Sequence, residues 1–263
     1  MNYSTDEANG VKSFTRPRYF YGQLLDVRHF ESEQNYFRRK LHLLNQIVSG
    51  FGVVCGLDVK PGPDDHSVIV EPGVALDKCG REIVVPCRSK KVPIESMPPV
   101  PPQTPKPTDP RQYEQSGDHC DDDTWVHLVI CYSECQTDPE PTFSGGCDSQ
   151  SNGCSHGAVR EMYELKIVPG RVPPIIVDCT IPNLIKGNKV DYCALAQWVS
   201  EPCDQFNDCC ITLANVRRPP SDGVLDQNDI DICVRPIVFS LDLLWELVLG
   251  LTHETSSRRS AKG

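Results

Sequence analysis

The chain has 263 residues, enough for one large or two ordinary domains with a sizeable core, so stability alone does not account for its 14 cysteines. Its 36 acidic and 26 basic residues give a formal charge of −10, which offers no general attraction for nucleic acid or anionic lipid. The start, MNYSTDEANG, is polar and acidic where a secretory signal needs a basic start and an apolar run. No apolar stretch is long enough to cross a bilayer. Cytoplasmic synthesis is therefore expected, with thiols kept reduced until any release from the cell.

Prolines and glycines, 23 and 18 of them, point to many turns. In chain order, the first segment ends in FTRPRYFYGQLL, an extended arm in which Pro17 stops helix and Gly22 permits a turn. From Asp26 the spacing of Val27, Phe30, Phe37, Leu41, Leu44 and Val48 predicts an amphipathic helix, capped by Asp26 and ended by Gly50. Arg28, Glu31, Arg38, Arg39 and Asn45 fall on its polar side, so the helix should lie against something rather than inside it. Gly50, Gly52 and Gly56 then interrupt an apolar segment, as expected of a helix-to-sheet corner with positive φ or close backbone approach.

The runs VVCGLDV, SVIVEPG, VALD and EIVVP read as short strands of a small antiparallel sheet. The proline-rich stretch after Pro93 reads as an insertion or linker. Strands resume at TWVHLVICY, MYELKIV and CITLANV, with a Gly-, Ser- and Cys-rich loop over 144–158. Ser240 caps a last helix with Leu241, Leu244, Trp245 and Val248 as its stripe, and the tail beyond His253 is expected to be mobile or bound to a neighbour. The expected fold is mainly β with peripheral helices. Its short antiparallel sheets form a sandwich or barrel, with one N-terminal amphipathic helix and one C-terminal helix. The expected divisions are arm and helix over 1–50, a small β region over 51–92, the insertion over 93–124, a β-rich region over 125–240, and helix and tail over 241–263.

Cys131, Cys135, Cys147, Cys154 and His156 could supply a closed zinc site, since structural zinc takes four sulfur or nitrogen ligands, but their spacing is loose. Structural zinc, free buried thiols and disulfides all stay open, free thiols being the plainest. Cys55, Cys79, Cys87 and Cys233 sit beside strand residues and read as core fillers. Adjacent Cys209 and Cys210 would point to opposite faces of a strand. No zinc-protease, nucleophile-elbow or phosphate-loop motif occurs, Asp121, Asp122 and Asp123 lack the pattern of a calcium loop, and nothing brings Cys131 and His156 together as nucleophile and base. A non-enzyme is expected.

Tyr21, Gly22, Gln23, Leu24 and Leu25, then Glu33, Gln34, Tyr36 and Phe37, then Gly50, Phe51, Gly52, Val53, Val54, Gly56 and Leu57 form an ordered set of blocks. This set resembles a family of baseplate-associated structural proteins encoded with phage-tail-like contractile injection systems. The resemblance continues in EPGVALDKCGREIVVP, CYSECQTDPEP and VRPIVFS. It implies a structural component of the baseplate region, incorporated into the particle and working through contacts with other baseplate, sheath or spike subunits in a symmetric, multimeric assembly. A receptor- or glycan-binding fibre-like module of the same particle, or a particle-borne hydrolase, are the alternatives. Tyr19, Phe20, Tyr21, Leu24 and Leu25 of the arm, with Phe30 and Phe37 of the helix, are the candidate partner-binding residues, since an aromatic cluster this apolar must dock on its own domain or on a partner.

Overall fold

Eighteen residues, Val27–Leu44, form the first helix, α1, and none of them is buried. The structure is a computed structural model that describes residues 13–95, 124–141, 154–176, 184–186, 189–201, 206, 208–220 and 223–260, without the side chains of 251–260. Most of the insertion and of the Cys-rich loop lies outside these residues. Asp26 caps α1: its carboxylate accepts from the Arg28 amide at 3.1 Å, and its own amide donates to His29 Nδ1 at 3.2 Å. A π-turn over Asn45–Ser49 ends the helix before Gly50.

The β body is antiparallel and sandwich-like, with no closed barrel among the described residues. One sheet has the order β1 (Gly52–Gly56), β4 (Gly73–Leu76), β5 (Glu82–Val85), and a second has β2 (Val59–Pro61), β3 (Ser67–Val70), β6 (Val92–Pro93). The third has the order β12 (Ile230–Asp231), β11 (Ile211–Arg217), β7 (Trp125–Pro141), β8 (Cys154–Pro169). A two-residue ladder, β9 (Ile185–Lys186) with β10 (Lys189–Val190), leads to the short helix α2 (Tyr192–Trp198). The last helix is α3 (Leu241–Ser260).

One core joins the sheets. Val53, Leu57, Val59, Val68 and Ile83 pack with Leu128, Ile130, Ile211, Leu213 and Val216, so residues 51–92 and 125–240 share a single hydrophobic cluster. Buried Asn215 is satisfied by Val172, donating to its carbonyl at 2.8 Å and accepting from its amide at 3.0 Å. The glycine corner has the expected backbone, with φ of 73° at Gly50, 138° at Gly52 and 65° at Gly56. At Gly52 a Cβ would also lie 2.5 Å from the Pro236 carbonyl, so only glycine lets β1 pair with the segment that leads to α3.

Two elements differ from expectation. The β7–β8 hairpin is far longer than two core strands: register runs from Val126 opposite Pro169 to Pro141 opposite Cys154. Beyond Tyr132 it is a largely exposed ribbon, where Pro139 and Pro141 are tolerated because no third strand needs their amides. The C-terminal helix continues to Ser260 through the stretch expected as a tail. Glu254 and Arg258, four apart, are spaced to support that extension.

The contrast between core and helix is measurable. Leu128→Ala should cost about 2–5 kcal/mol and Phe37→Ala no more than about 0.5 kcal/mol, read as urea midpoints of the isolated chain.

Candidate functional site

The turn between β4 and β5 is where α1 meets the body. Asp77 is fully buried, and its Oδ1 accepts from the amides of Cys79 at 2.9 Å and Arg81 at 2.8 Å. Its Oδ2 accepts from Arg81 Nε at 2.6 Å, so the buried charge is both paired and hydrogen-bonded. The carbonyls turned outward then serve the helix. Asn45 Nδ2 donates to Gly80 O at 2.9 Å and to Glu82 Oε1 at 2.8 Å, and Gln46 Nε2 donates to Lys78 O at 2.9 Å. Gly80 is required here, because a Cβ would lie 2.0 Å from the His42 carbonyl.

The same turn is fastened from the other side. Cys79 is disulfide-bonded to Cys209 and Cys131 to Cys210, closing sequence separations of 130 and 79 residues. Each closure removes about 4–5 kcal/mol of unfolded-chain entropy in the simple loop model. Phe51 and Phe206 meet edge-on at 5.3 Å, with the Lys78 ammonium 6.0 Å from both rings. The Arg81 guanidinium lies 4.7 Å from the centre of the Tyr132 ring.

Away from this root, α1 presents its stripe to solvent. Val27, Phe30, Phe37, Leu41, Leu44, Ile47 and Val48 are all exposed, Phe37 at 63%. The arm does not cover them. Phe14 packs instead against Tyr36 at 6.4 Å and under the Arg39 guanidinium at 5.7 Å, on the other side of the helix. Tyr19 donates to Glu33 at 2.9 Å, and this bond holds its phenol pKa above the ordinary value. Phe20, Tyr21, Leu24 and Leu25 are exposed beside it, Tyr21 completely. The arm therefore does not shield its own sheet, and Phe20, Tyr21, Leu24, Leu25, Phe30 and Phe37 are each exposed. The first half of α3 is similar, with Leu241, Leu244, Trp245, Leu247 and Val248 exposed.

The proposed zinc ligands are not brought together. Cys131 is already bonded to Cys210, and it pairs in register with Glu164. Cys135 lies opposite Arg160, His156 opposite Pro139 and Cys154 opposite Pro141. At a strand's rise, Cys135 is about 13 Å from Cys131 and about 20 Å from the level of Cys154, whereas zinc holds its sulfurs within a few ångströms of one another. Cys147 lies outside the described residues, among which no metal-ligand cluster occurs. The same spread keeps His156 from serving Cys131 as a base. Of the expected core fillers, Cys79 is in a disulfide, and Cys55, Cys87 and Cys233 are exposed. Cys55 follows a bulge in β1 between Val53 and Cys55, and Cys87 and Cys233 lie in a bend and a turn outside the strands, so their apolar neighbours do not bury them.

Sequence reasoning missed the roles of Asp77, Asn45 and Gln46. An acid three residues before a glycine and four before an arginine is the available signal for the turn. A family-model scan and a search of curated proteins return no match to this chain. Among the described residues no helix is long and apolar enough to cross a membrane.

His42, on the last turn of α1, gives the root a pH signature. Burial holds its pKa below the ordinary 6.5, against the opposing pull of Glu82 and Asp77. The unfolded chain then binds more protons than the folded one just below pH 6.5, so stability is fully present above that value and is lost as pH falls through the lowered pKa. A urea midpoint that drops between pH 7 and 5, and drops less in His42→Gln, is the expected result.

Proposed function

We propose that this chain is a structural subunit of the baseplate region of a phage-tail-like contractile injection system, working through protein–protein contacts in assembly. The observation that carries the reading is an 18-residue helix with no buried residue, anchored at one end and bearing an open apolar stripe, preceded by an arm whose Phe20, Tyr21, Leu24 and Leu25 are exposed. A helix of this length gains little from its own hydrogen bonds in water and draws its stability from packing of an apolar face. Most of the blocks that resemble the contractile-system family fall on these parts, the arm, α1, the glycine corner and the turn that seats the helix, with CYSECQTDPEP on β7 and VRPIVFS on the segment before α3.

The work is mechanical, not chemical. Burying the stripe would contribute on the order of 10 kcal/mol gross, and association costs about 4–15 kcal/mol. A single contact is therefore weak, and the multiplicity of a symmetric ring with baseplate, sheath or spike subunits supplies the avidity. The acidic balance opposes premature association.

Imaging of intact particles from cells that make this chain, with a tag on its C-terminus, tests the proposal. The tag is expected at the baseplate end in a fixed ratio to the other subunits. Label on distal fibres, or particles complete in its absence, would overturn it.

A further inference from the structure

Cys209 and Cys210, at the entrance to β11, are adjacent in sequence, yet their two disulfides join different things. Ile211 pairs with Ile130 across the β11–β7 ladder, so Cys210 and Cys131 are the next positions of two strands that are already neighbours. Their bond, with Cα atoms 4.5 Å apart, extends a pairing that the ladder holds without it. Cys79 is placed differently. It lies in the turn between β4 and β5, in a different sheet from β11, and its bond to Cys209 joins the two across a Cα distance of 5.5 Å.

Apart from that bond, the described links between the turn and residues 206–210 are slight. The Lys78 amide donates to the Cys209 carbonyl at 3.3 Å, long for such a bond, and the Lys78 ammonium stands 6.0 Å from the Phe206 ring. Asp77 fixes the shape of the turn, whereas the disulfide fixes its position against the third sheet. Cys79 also stands between the two acceptors that receive α1, Lys78 O for Gln46 and Gly80 O for Asn45. The freedom of Cys79 therefore sets the freedom of both acceptors.

Access separates the two bonds as well. Cys79 and Cys209 are both partly exposed, while Cys131 is only 6% exposed. Exchange requires a thiolate to approach a sulfur of the bond, so a small thiol reaches Cys79–Cys209 first. Neither Cys79 nor Cys209 belongs to the hydrophobic cluster, and the β body keeps its core when that bond is open.

We propose that the Cys79–Cys209 pair is a redox-sensitive latch on the root of α1, closed by oxidation and opened by reduction, with Cys131–Cys210 a staple within its own sheet. Closing consumes a small-molecule disulfide of the glutathione class. One cysteine thiolate attacks it, forming a mixed disulfide and releasing one small thiol. The other cysteine thiolate then attacks the protein sulfur of that mixed disulfide and displaces the second small thiol. The protein pair loses two electrons and two protons, and the small disulfide takes them up to become two thiols. Reducing surroundings such as a cytosol hold the latch open, and oxidising ones close it. The inference is independent of the baseplate reading, since it concerns how firmly α1 is rooted and not what α1 meets.

The full chain, equilibrated over graded ratios of reduced to oxidised glutathione, is read by alkylation and peptide mapping of the four cysteines and by amide hydrogen exchange with β11 as reference. Cys79 and Cys209 should become alkylatable at a lower ratio of reduced to oxidised glutathione than Cys131 and Cys210. As they do, exchange over residues 41–49 should quicken at least about tenfold while β11 is unchanged. Cys79→Ser with Cys209→Ser should show the quicker exchange at every ratio, and Cys131→Ser with Cys210→Ser should keep the wild-type response. The wild-type titration decides by itself, whether or not the serine variants fold. Exchange over 41–49 that is equal in the oxidised and reduced chain would leave the bond a staple. Quickening that extends to β11 would place the effect in the body, and earlier opening of Cys131–Cys210 would reverse the assignment. Cys79 and Cys209 that stay free under oxidised glutathione would remove the latch. Each of these four results overturns the proposal.

Discussion

The buried carboxylate of Asp77 fixes the geometry on which the rest depends. A charge fully out of water is tolerable only when its oxygens are occupied, and here two backbone amides and the Arg81 guanidinium occupy them. Holding those donors inward turns the carbonyls of Lys78 and Gly80 outward, where Gln46 and Asn45 find them. The helix is thus attached through the polar groups of its last turn, and its apolar face is left for something else. The Cys79–Cys209 bond and the aromatic pair Phe51 and Phe206 fasten the turn from its other side.

This division of labour explains an otherwise costly arrangement. The β body has its own core and needs nothing from α1 or α3, while each helix exposes apolar residues that a free-standing protein would cover. The residues that form the core and those exposed on the helices are different sets. Substitutions on the stripe are therefore expected to leave the fold intact, and substitutions in the core to destabilise it. The long β7–β8 ribbon adds a third projection, whose exposed surface carries Val159 and Met162 among polar residues.

Much of this was legible in the sequence because it depends on local pattern. The spacing from Val27 to Val48 marked α1, the three glycines marked the corner, and short apolar runs marked β1, β3, β4 and β5, although VVCGLDV, read as one strand of one small sheet, breaks at Leu57 and feeds β1 and β2 of two sheets. What pattern cannot carry is the identity of a distant partner. Amphipathy shows that a helix has an apolar face, but not that its own body leaves the face open. Cysteine counts do not give pairings, so Cys79 with Cys209 and Cys131 with Cys210, separated by 130 and 79 residues in sequence, emerged only from their adjacency in space. Pro139 and Pro141 fit the long strand because the ribbon is two-stranded there.

The central claim is that the 77–81 turn pins one end of α1 and leaves the remainder of its apolar stripe uncovered. Amide hydrogen exchange on the dilute chain, comparing wild type with Asp77→Ala and using β11 as an internal reference, tests it most directly. The account predicts protection confined to residues 41–49 in the wild type, lost in Asp77→Ala while β11 stays protected. Core-like protection along all of residues 27–44 in the dilute wild type, or a root indifferent to Asp77→Ala, would contradict it.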